Sequence, residues 1–339
     1  MGAFRVRLDR RFQTIENFGA SDCWSKQKIG AWSAESVGRV ADLLFCRERG
    51  IGLSCWRFNA GAGVDPEAIS NPWRTVESFE TGEGTYDWCR QAGERRILRE
   101  ALKRGVPQYV LFANSPPRRL TRNGHANCSP DGHSTNLAPG AEDAFARYLV
   151  DIARHFRENP DPEERVPFGF VSPINEPEWD WLPAKQEGCR AANSDLKRIL
   201  RALGRELERQ GIEDVAPLAP ESGSIPDMVR PNDSVSRKYG APFGDYIREF
   251  ADDDDMRRIL ANRLAYHSYW SDDPARRRAD REALREAAER RPGLCLWQSE
   301  YCVMQGGRDL SMATALHAAR IIHLDLTVVG VTAWQWWLA

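Results

Sequence analysis

The sequence predicts an α/β fold, a TIM (β/α)8 barrel, on three observations. Short apolar runs alternate with longer amphipathic stretches, the pattern of a parallel sheet whose crossovers are helices. Eight such runs can be counted, at 17–23, 53–59, 108–113, 169–174, 216–219, 263–267, 295–299 and 330–334. A chain of 339 residues also suits one barrel with loop insertions. The runs at 108–113 (Gln-Tyr-Val-Leu-Phe-Ala) and 169–174 (Gly-Phe-Val-Ser-Pro-Ile) are nearly continuous in apolar residues, as expected of strands covered on both faces.

Helices fall between the strands. Ser33 is placed to N-cap a helix carrying Val37, Val40, Leu43 and Leu44 on one side, and Glu35 in its first turn suits the helix dipole. From 141 to 156 apolar residues recur at Phe145, Leu149, Ile152 and Phe156, a helical spacing. Stretches 196–207 and 283–288 read likewise, and 311–324 follows the seventh strand. The acidic run 252–255 reads as a solvated loop or helix start, since no EF-hand spacing follows it. Two features break the regularity. An extended segment, in which Phe4, Val6 and Leu8 alternate with Arg5 and Arg7, precedes the first barrel strand. After the eighth strand the sequence stops at Ala339 without a last helix, so it reads as part of a longer chain.

Composition narrows the function. With 42% hydrophobic and 28% charged residues the chain is ordinary for a soluble enzyme. A formal net charge of −2 implies no basic face, so no nucleic-acid partner is expected. No apolar h-region follows the charged N-terminus, so no signal peptide is expected, and secreted and cytoplasmic locations both stay open. The longest weakly polar stretch, 326–339, is too short and too polar for a bilayer, so no membrane partner is expected; the chain is expected to be a monomer. Eight cysteines without a C-x-x-C pair are expected to be mostly free. No Gly-rich phosphate loop follows the first strand and no Ser-His-Asp order stands out, so no cofactor is expected. The loop His125-Ala-Asn-Cys128 with His133 matches no standard zinc spacing, so no metal site is expected either.

The chemistry is carried by two glutamates. In Ser172-Pro-Ile-Asn-Glu-Pro-Glu-Trp-Asp-Trp181 an apolar strand ends in Asn175-Glu176, and Pro177 stops further pairing. In Leu294-Cys-Leu-Trp-Gln-Ser-Glu300 a second strand ends the same way. The two are 124 residues apart, three βα units at about forty residues each, which places them on strands four and seven. Barrel strands point their C-terminal ends into the active site, so both carboxylates would face one cleft. A glycosidic bond needs a proton for its leaving oxygen and a nucleophile on the opposite face, and two carboxyl groups supply both. Trp179 and Trp181 follow at once, offering aromatic faces to sugar rings. The bland reading is a pair of rim salt bridges with tryptophans packing the loop.

These segments resemble family 30 of the glycoside hydrolases. The resemblance spans nearly the whole chain, through Gln13-Thr-Ile-Glu-Asn-Phe-Gly-Ala-Ser21, Arg57-Phe-Asn59, Ala113-Asn-Ser-Pro-Pro117, Ser172-Pro-Ile-Asn-Glu-Pro177, Trp297-Gln-Ser-Glu300 and Trp334-Gln-Trp-Trp337. It implies a retaining hydrolase, with Glu176 as acid/base, Glu300 as nucleophile and Asn175 bonded to the sugar 2-hydroxyl. It also implies a small β-sandwich side domain to which residues 1–12 give a strand, while 13–339 form the catalytic barrel and the sandwich's C-terminal part lies outside this sequence. Members act on glucosides, β-1,6-linked galactans and glucans, and xylans, so a plant or microbial glycan is the expected substrate.

Lesser expectations attach to single residues. Arg57 is expected to pair with Glu300 and hold its pKa down, or else to be an ordinary rim salt bridge. Either Tyr266 or His267 is expected to reach Glu300 from strand six. Trp334 or Trp336 is expected to floor the sugar site, with plain core as the alternative for Trp334. Relatives usually carry an aromatic or apolar residue after Ser-Pro-Pro, whereas this chain has Arg118-Arg119. Arg118 is read either as a fork for the carboxylate of an acidic sugar or as a solvated loop charge. In the expected double displacement Glu300 attacks the anomeric carbon while Glu176, its pKa raised by the second carboxylate, protonates the leaving oxygen. Retention requires a carboxylate separation of about 5–5.5 Å, against roughly 6.5–9.5 Å for inversion. A non-catalytic carbohydrate-binding protein on a degenerate barrel is the second reading, and a metal-dependent barrel hydrolase the third.

Overall fold

The computed structural model describes residues 7–128, 132–304 and 309–339. Its central sheet is wholly parallel, with strands β1 (Asn17–Ser21), β2 (Cys55–Asn59), β3 (Gln108–Phe112), β4 (Phe170–Ser172), β5 in two pieces (Ala216–Pro217 and Pro220–Ser224), β6 (Arg263–Tyr269), β7 (Cys295–Glu300) and β8 (Ala333–Trp336). Each strand pairs with its neighbour in sequence, and β8 returns to β1 with Trp334 opposite Phe18. The ring closes through β5. Its first piece bonds β4 and its second bonds β6: the Leu218 N–H donates to the Val171 carbonyl and the Ala265 N–H to the Ala219 carbonyl, both at 2.9 Å. All eight expected strands are present. β4 is shorter than its apolar run because Pro173 has no N–H to continue the ladder.

Helices Ala34–Phe45, Ala92–Lys103, Glu142–Arg157 and Asn193–Gln210 follow the first four strands, Arg277–Glu289 follows β6, and Met312–Leu324 follows β7. Ser33 caps the first of these, its Oγ accepting from the Ser36 N–H at 3.2 Å. The packed stripe of that helix differs from expectation: Val37, Ala41 and Phe45 are buried at four-residue intervals, and Leu43 is 61% exposed on another face. Helix Glu142–Arg157 buries Phe145, Leu149, Ile152 and Phe156, as its spacing predicted. The acidic run is a helix start, in which the Asp253 side chain accepts from the Asp255 and Met256 N–H groups. Residues Met312–Val329 are apolar and long enough, by length and composition, to cross a bilayer, yet here they bury Ile321, Leu324, Val328 and Val329 inside the fold.

Of the extended segment expected at 4–8, residues 4–6 lie outside the described residues. Arg7 and Leu8 sit in a turn closed by the Arg10 N–H on the Arg7 carbonyl at 3.2 Å, and no strand occurs over 7–12. Two cores hold the barrel together. Cys55, Val110, Phe112, Leu218, Ala265, Trp297 and Ala333 form a cluster inside the ring, where Phe170 meets Trp297 edge-on at 4.6 Å. The larger core lies between sheet and helices. Both faces of the strands are therefore covered, except at Phe18 of β1, which is 40% exposed. All eight cysteines are unpaired.

Candidate active site

The C-terminal strand ends gather an ion network. Glu300 is the last residue of β7, and Glu176 lies just beyond β4. Glu176 takes a left-handed φ of +47° and its N–H donates to the Glu221 carbonyl at 2.9 Å, a backbone state that non-glycine residues adopt where the surroundings impose it. A carboxylate oxygen of Glu176, one of Glu300 and a ring nitrogen of His267 all lie within 4.8 Å of one another.

Glu300 is held from two sides. Its Oε2 accepts from Arg57 Nη1 at 2.8 Å and its Oε1 from the Tyr269 hydroxyl at 3.1 Å. Burial raises the Glu300 carboxyl above its ordinary value, and the charges of His267 and Arg57 offset only part of that. The expected Arg57 pair is thus present, but its downward pull does not win. Arg57 is itself fully buried. It also donates to the Ser299 carbonyl at 3.1 Å and to Asn175 Oδ1 at 3.4 Å, and lies 4.2 Å from the Phe112 ring centroid.

His267 links the carboxylates. Its Nδ1 lies 3.0 Å from Glu176 Oε1, its Nε2 3.2 Å from Glu221 Oε2, and its Nδ1 3.7 Å from Glu300 Oε1. Burial alone would lower its pKa, but the charges of Glu300, Glu176 and Glu221 raise it to about 10. His267 is therefore an imidazolium donating from both nitrogens. Glu176, His267 and Glu300 are thereby tied into one charge network. Glu221, also at positive φ (+58°), sits behind it, accepting from His267 and the Ser299 hydroxyl with Arg57 at 3.6 Å. Burial favours its neutral form, yet Arg57 and His267 hold it down at about 2.

Neighbouring atoms fix this geometry. A Cβ on Gly223 would approach Glu176 Cδ to 3.1 Å, so β5 passes the acid only because that residue has no side chain. The Gly223 N–H and Ser222 hydroxyl donate to Glu178 Oε1 at 2.6 and 2.8 Å, and the Tyr246 hydroxyl donates to Oε2 at 3.2 Å. Burial and nearby Asp227 raise the Glu178 carboxyl to about 8. The whole assembly opens on a cavity of about 350 Å³ lined by Asn175, Glu176, Trp179, Tyr269, Trp270 and Glu300. A larger cavity, about 990 Å³, opens at the opposite end near Leu294 and Val329. Strand C-terminal ends carry the chemistry in barrels, and only the smaller cavity contains both glutamates.

Several expectations need correction. Tyr266 points away from the cleft: it is buried in the outer core beside Asp325, and His267 and Tyr269 face inward instead. Trp334 is core, its indole N–H donating to Asp325 at 3.0 Å, and Trp336 packs on the same side against Trp334 and Tyr301. The strand-eight tryptophan that lines the cavity is Trp337. Arg118 does not reach the cavity, because its guanidinium is taken by the Gly124 and Val64 carbonyls at 2.9 and 3.0 Å. Arg119 grips Glu80 with Nε and Nη2. Of the zinc candidates, His125 meets Asp65 at 3.2 Å while Cys128 accepts from the Arg190 N–H at 3.0 Å, so the two turn to different partners. Asn175, Glu176, Glu300, Arg57, Trp179 and His267 do converge. Sequence reasoning missed Glu221, Tyr269 and Gly223. The signal for Glu221 was present: it closes the fifth run as Glu176 and Glu300 close theirs.

A parallel barrel with two glutamates facing each other across a cavity at its strand ends defines the glycoside hydrolase class. The family model described as O-glycosyl hydrolase family 30 matches residues 2–339, and the chain belongs to that family. It is 26% identical over 368 residues to an endo-beta-1,6-galactanase of Hypocrea rufa, the match covering 99% of this chain and 68% of the relative. Among solved structures, a conserved exported protein from Bacteroides fragilis superposes with a TM-score of 0.87 at 31% identity, over 98% of this chain and 71% of that one. The catalytic domain of GH30 xylanase C from Talaromyces cellulolyticus shares the fold, with a TM-score of 0.66 at 19% identity over 97% of this chain and 69% of that one.

Proposed function

We propose that this protein is a retaining glycosidase of β-linked polysaccharides, with Glu300 as nucleophile and Glu176 as acid/base. One observation carries the reading: oxygens of the two carboxylates approach within 4.8 Å, which agrees with the short separation of retaining enzymes. The division of roles follows from the surroundings. Glu300, clamped by Arg57 and Tyr269, is pinned for attack on one carbon. Glu176 borders the cavity with part of its side chain exposed, as suits a group that gives a proton to the leaving oxygen and then takes one from water. Asn175 beside it is the donor for the sugar 2-hydroxyl.

The substrate is a glycan of the galactan, glucan or xylan kind, and the likeness to the endo-beta-1,6-galactanase of Hypocrea rufa favours β-1,6-galactan. Residues 1–12 contribute to a side domain, and the enzyme acts as a monomer. The test is a panel of β-1,6-galactan, β-1,6-glucan and β-1,4-xylan, with the first-formed anomer read by proton NMR. A β-anomer and loss of turnover in Glu300→Ala are expected; an α-anomer first, or near wild-type rates in the variant, overturns the assignment. A carbohydrate-binding protein without turnover would leave every glycan intact.

A further inference from the structure

We propose that Trp179 and Trp270 form a second sugar-binding platform at the rim of the cavity, holding a residue of the glycan chain beyond the one that is cleaved. The proposal rests on the glycosidase reading and deepens it: the substrate is a chain of several sugars rather than a terminal unit. Trp179 lies three residues past Glu176, its N–H on the Glu176 carbonyl at 3.0 Å, and Trp270 directly follows β6, three residues past His267. The indoles are nearly parallel, with an interplanar angle of 12° and ring centroids 6.1 Å apart. They belong to two different loops and both line the cavity that contains Glu176 and Glu300.

Burial does not explain them. Trp179 is 48% exposed and Trp270 52%. Trp270 also holds a left-handed φ of +56°, a strained state for a bulky side chain. Trp181 is the informative contrast. It has a similar φ of +57°, but it is buried, rests on Gly188 and donates its indole N–H to the Glu176 carbonyl at 3.2 Å. Those contacts account for its strain. Neither Trp179 nor Trp270 donates its ring N–H to any of the described residues. Strain retained in a half-exposed aromatic is characteristic of ligand clamps. An exposed indole face suits the C–H face of a pyranose, while Arg230, Asn232 and Arg276 on the same cavity offer polar groups to its hydroxyls.

The test compares tetrasaccharides of β-1,6-galactan, β-1,6-glucan and β-1,4-xylan with the matching p-nitrophenyl β-monoglycosides. In Trp270→Ala and Trp179→Ala the ratio of kcat/KM for the tetrasaccharide to that for the monoglycoside is expected to fall on the order of tenfold, the size of one lost aromatic stacking contact. An unchanged ratio overturns the proposal. Trp270→Gly separates platform from scaffold: glycine relieves the positive φ, so its Tm is expected to hold or rise while the ratio falls, and a fall in Tm with an unchanged ratio assigns Trp270 a packing role. Calorimetric titration of Glu300→Gln with the same tetrasaccharides reads the platform without turnover. Failure of the wild type to cleave any glycan sinks the glycosidase reading, whereas the platform fails if removing either indole leaves the tetrasaccharide Kd unchanged, or if no tetrasaccharide binds.

Discussion

His267 lies among three carboxylates, Glu300, Glu176 and Glu221, and this decides what each partner's removal costs. Glu221 accepts from it at 3.2 Å in a fully buried position. Glu221→Gln removes one of the three carboxylates that balance His267 and Arg57 and leaves Glu176 and Glu300 to do so, so stability is expected to drop, by no more than the roughly 3–5 kcal/mol of a buried pair that loses one member outright. The variant's kcat is expected to fall as well, because the imidazolium that orients Glu176 loses its anchor; equal Tm and kcat in variant and wild type would contradict this. Glu176 and Glu300 were legible in the sequence because each ends an apolar run, at the strand end that faces the mouth of the barrel. The partners that tune them were legible in part: Arg57 was expected at Glu300 and is there, His267 was one of two candidates, and Tyr269 was missed. His267 and Tyr269 sit beside Tyr266 and Ser268 in a strand buried on both faces, and alternation of polarity, the usual guide to which side faces in, is lost there. The same blindness exchanged Trp337 for Trp334 and Trp336 at the end of β8.

At the scale of elements, β5 is the part of the barrel that most constrains the site. It leaves β4 and joins β6 within a few residues, and its Gly223 lies directly under the Glu176 carboxyl. Gly223→Ala is expected to displace that carboxyl by a few tenths of an ångström or more and lower kcat on the order of tenfold to a hundredfold, with little change in the circular dichroism spectrum. A variant with wild-type kcat would show that Glu176 is not held there. The helix at Ala34–Phe45 illustrates the opposite case. Its start was readable from Ser33, since a cap is local chemistry, but its packed stripe passes through Ala41, which hydrophobicity alone did not single out. β5 was the least readable strand because proline at 217 and 220 and glycine at 223 interrupt its apolar pattern.

For the whole molecule the buried ionisable groups set a pH profile of stability. Asp22 is raised to about 7 and Glu178 and Glu187 to about 8, each chiefly by burial. A carboxyl whose folded pKa lies above its unfolded value gives its full stabilisation below the unfolded value and loses it as pH rises through the folded one. These three therefore weaken the fold progressively between about pH 4.5 and 8. Glu221 acts in the other direction: depressed to about 2, it stabilises above the unfolded carboxylate range and loses that contribution on acidification. His267, raised to about 10, stabilises fully below the unfolded histidine value and loses its contribution on the way up to 10. The sum predicts a Tm maximum in mildly acidic solution and a decline toward pH 8. Glu178→Gln, which keeps the shape without the charge, should flatten part of that decline; an identical slope in the variant would remove Glu178 from the account.

Hydrolysis with retention at this site depends on Glu300 being the group that attacks sugar. An activated 2-deoxy-2-fluoro-β-glycoside of the sugar that the enzyme hydrolyses, followed by proteolysis and peptide mass mapping, tests this directly. The expected result is one fluorosugar bound covalently to the peptide carrying Glu300, with none bound in Glu300→Gln. A label on another residue, or inactivation without any covalent adduct, would contradict it.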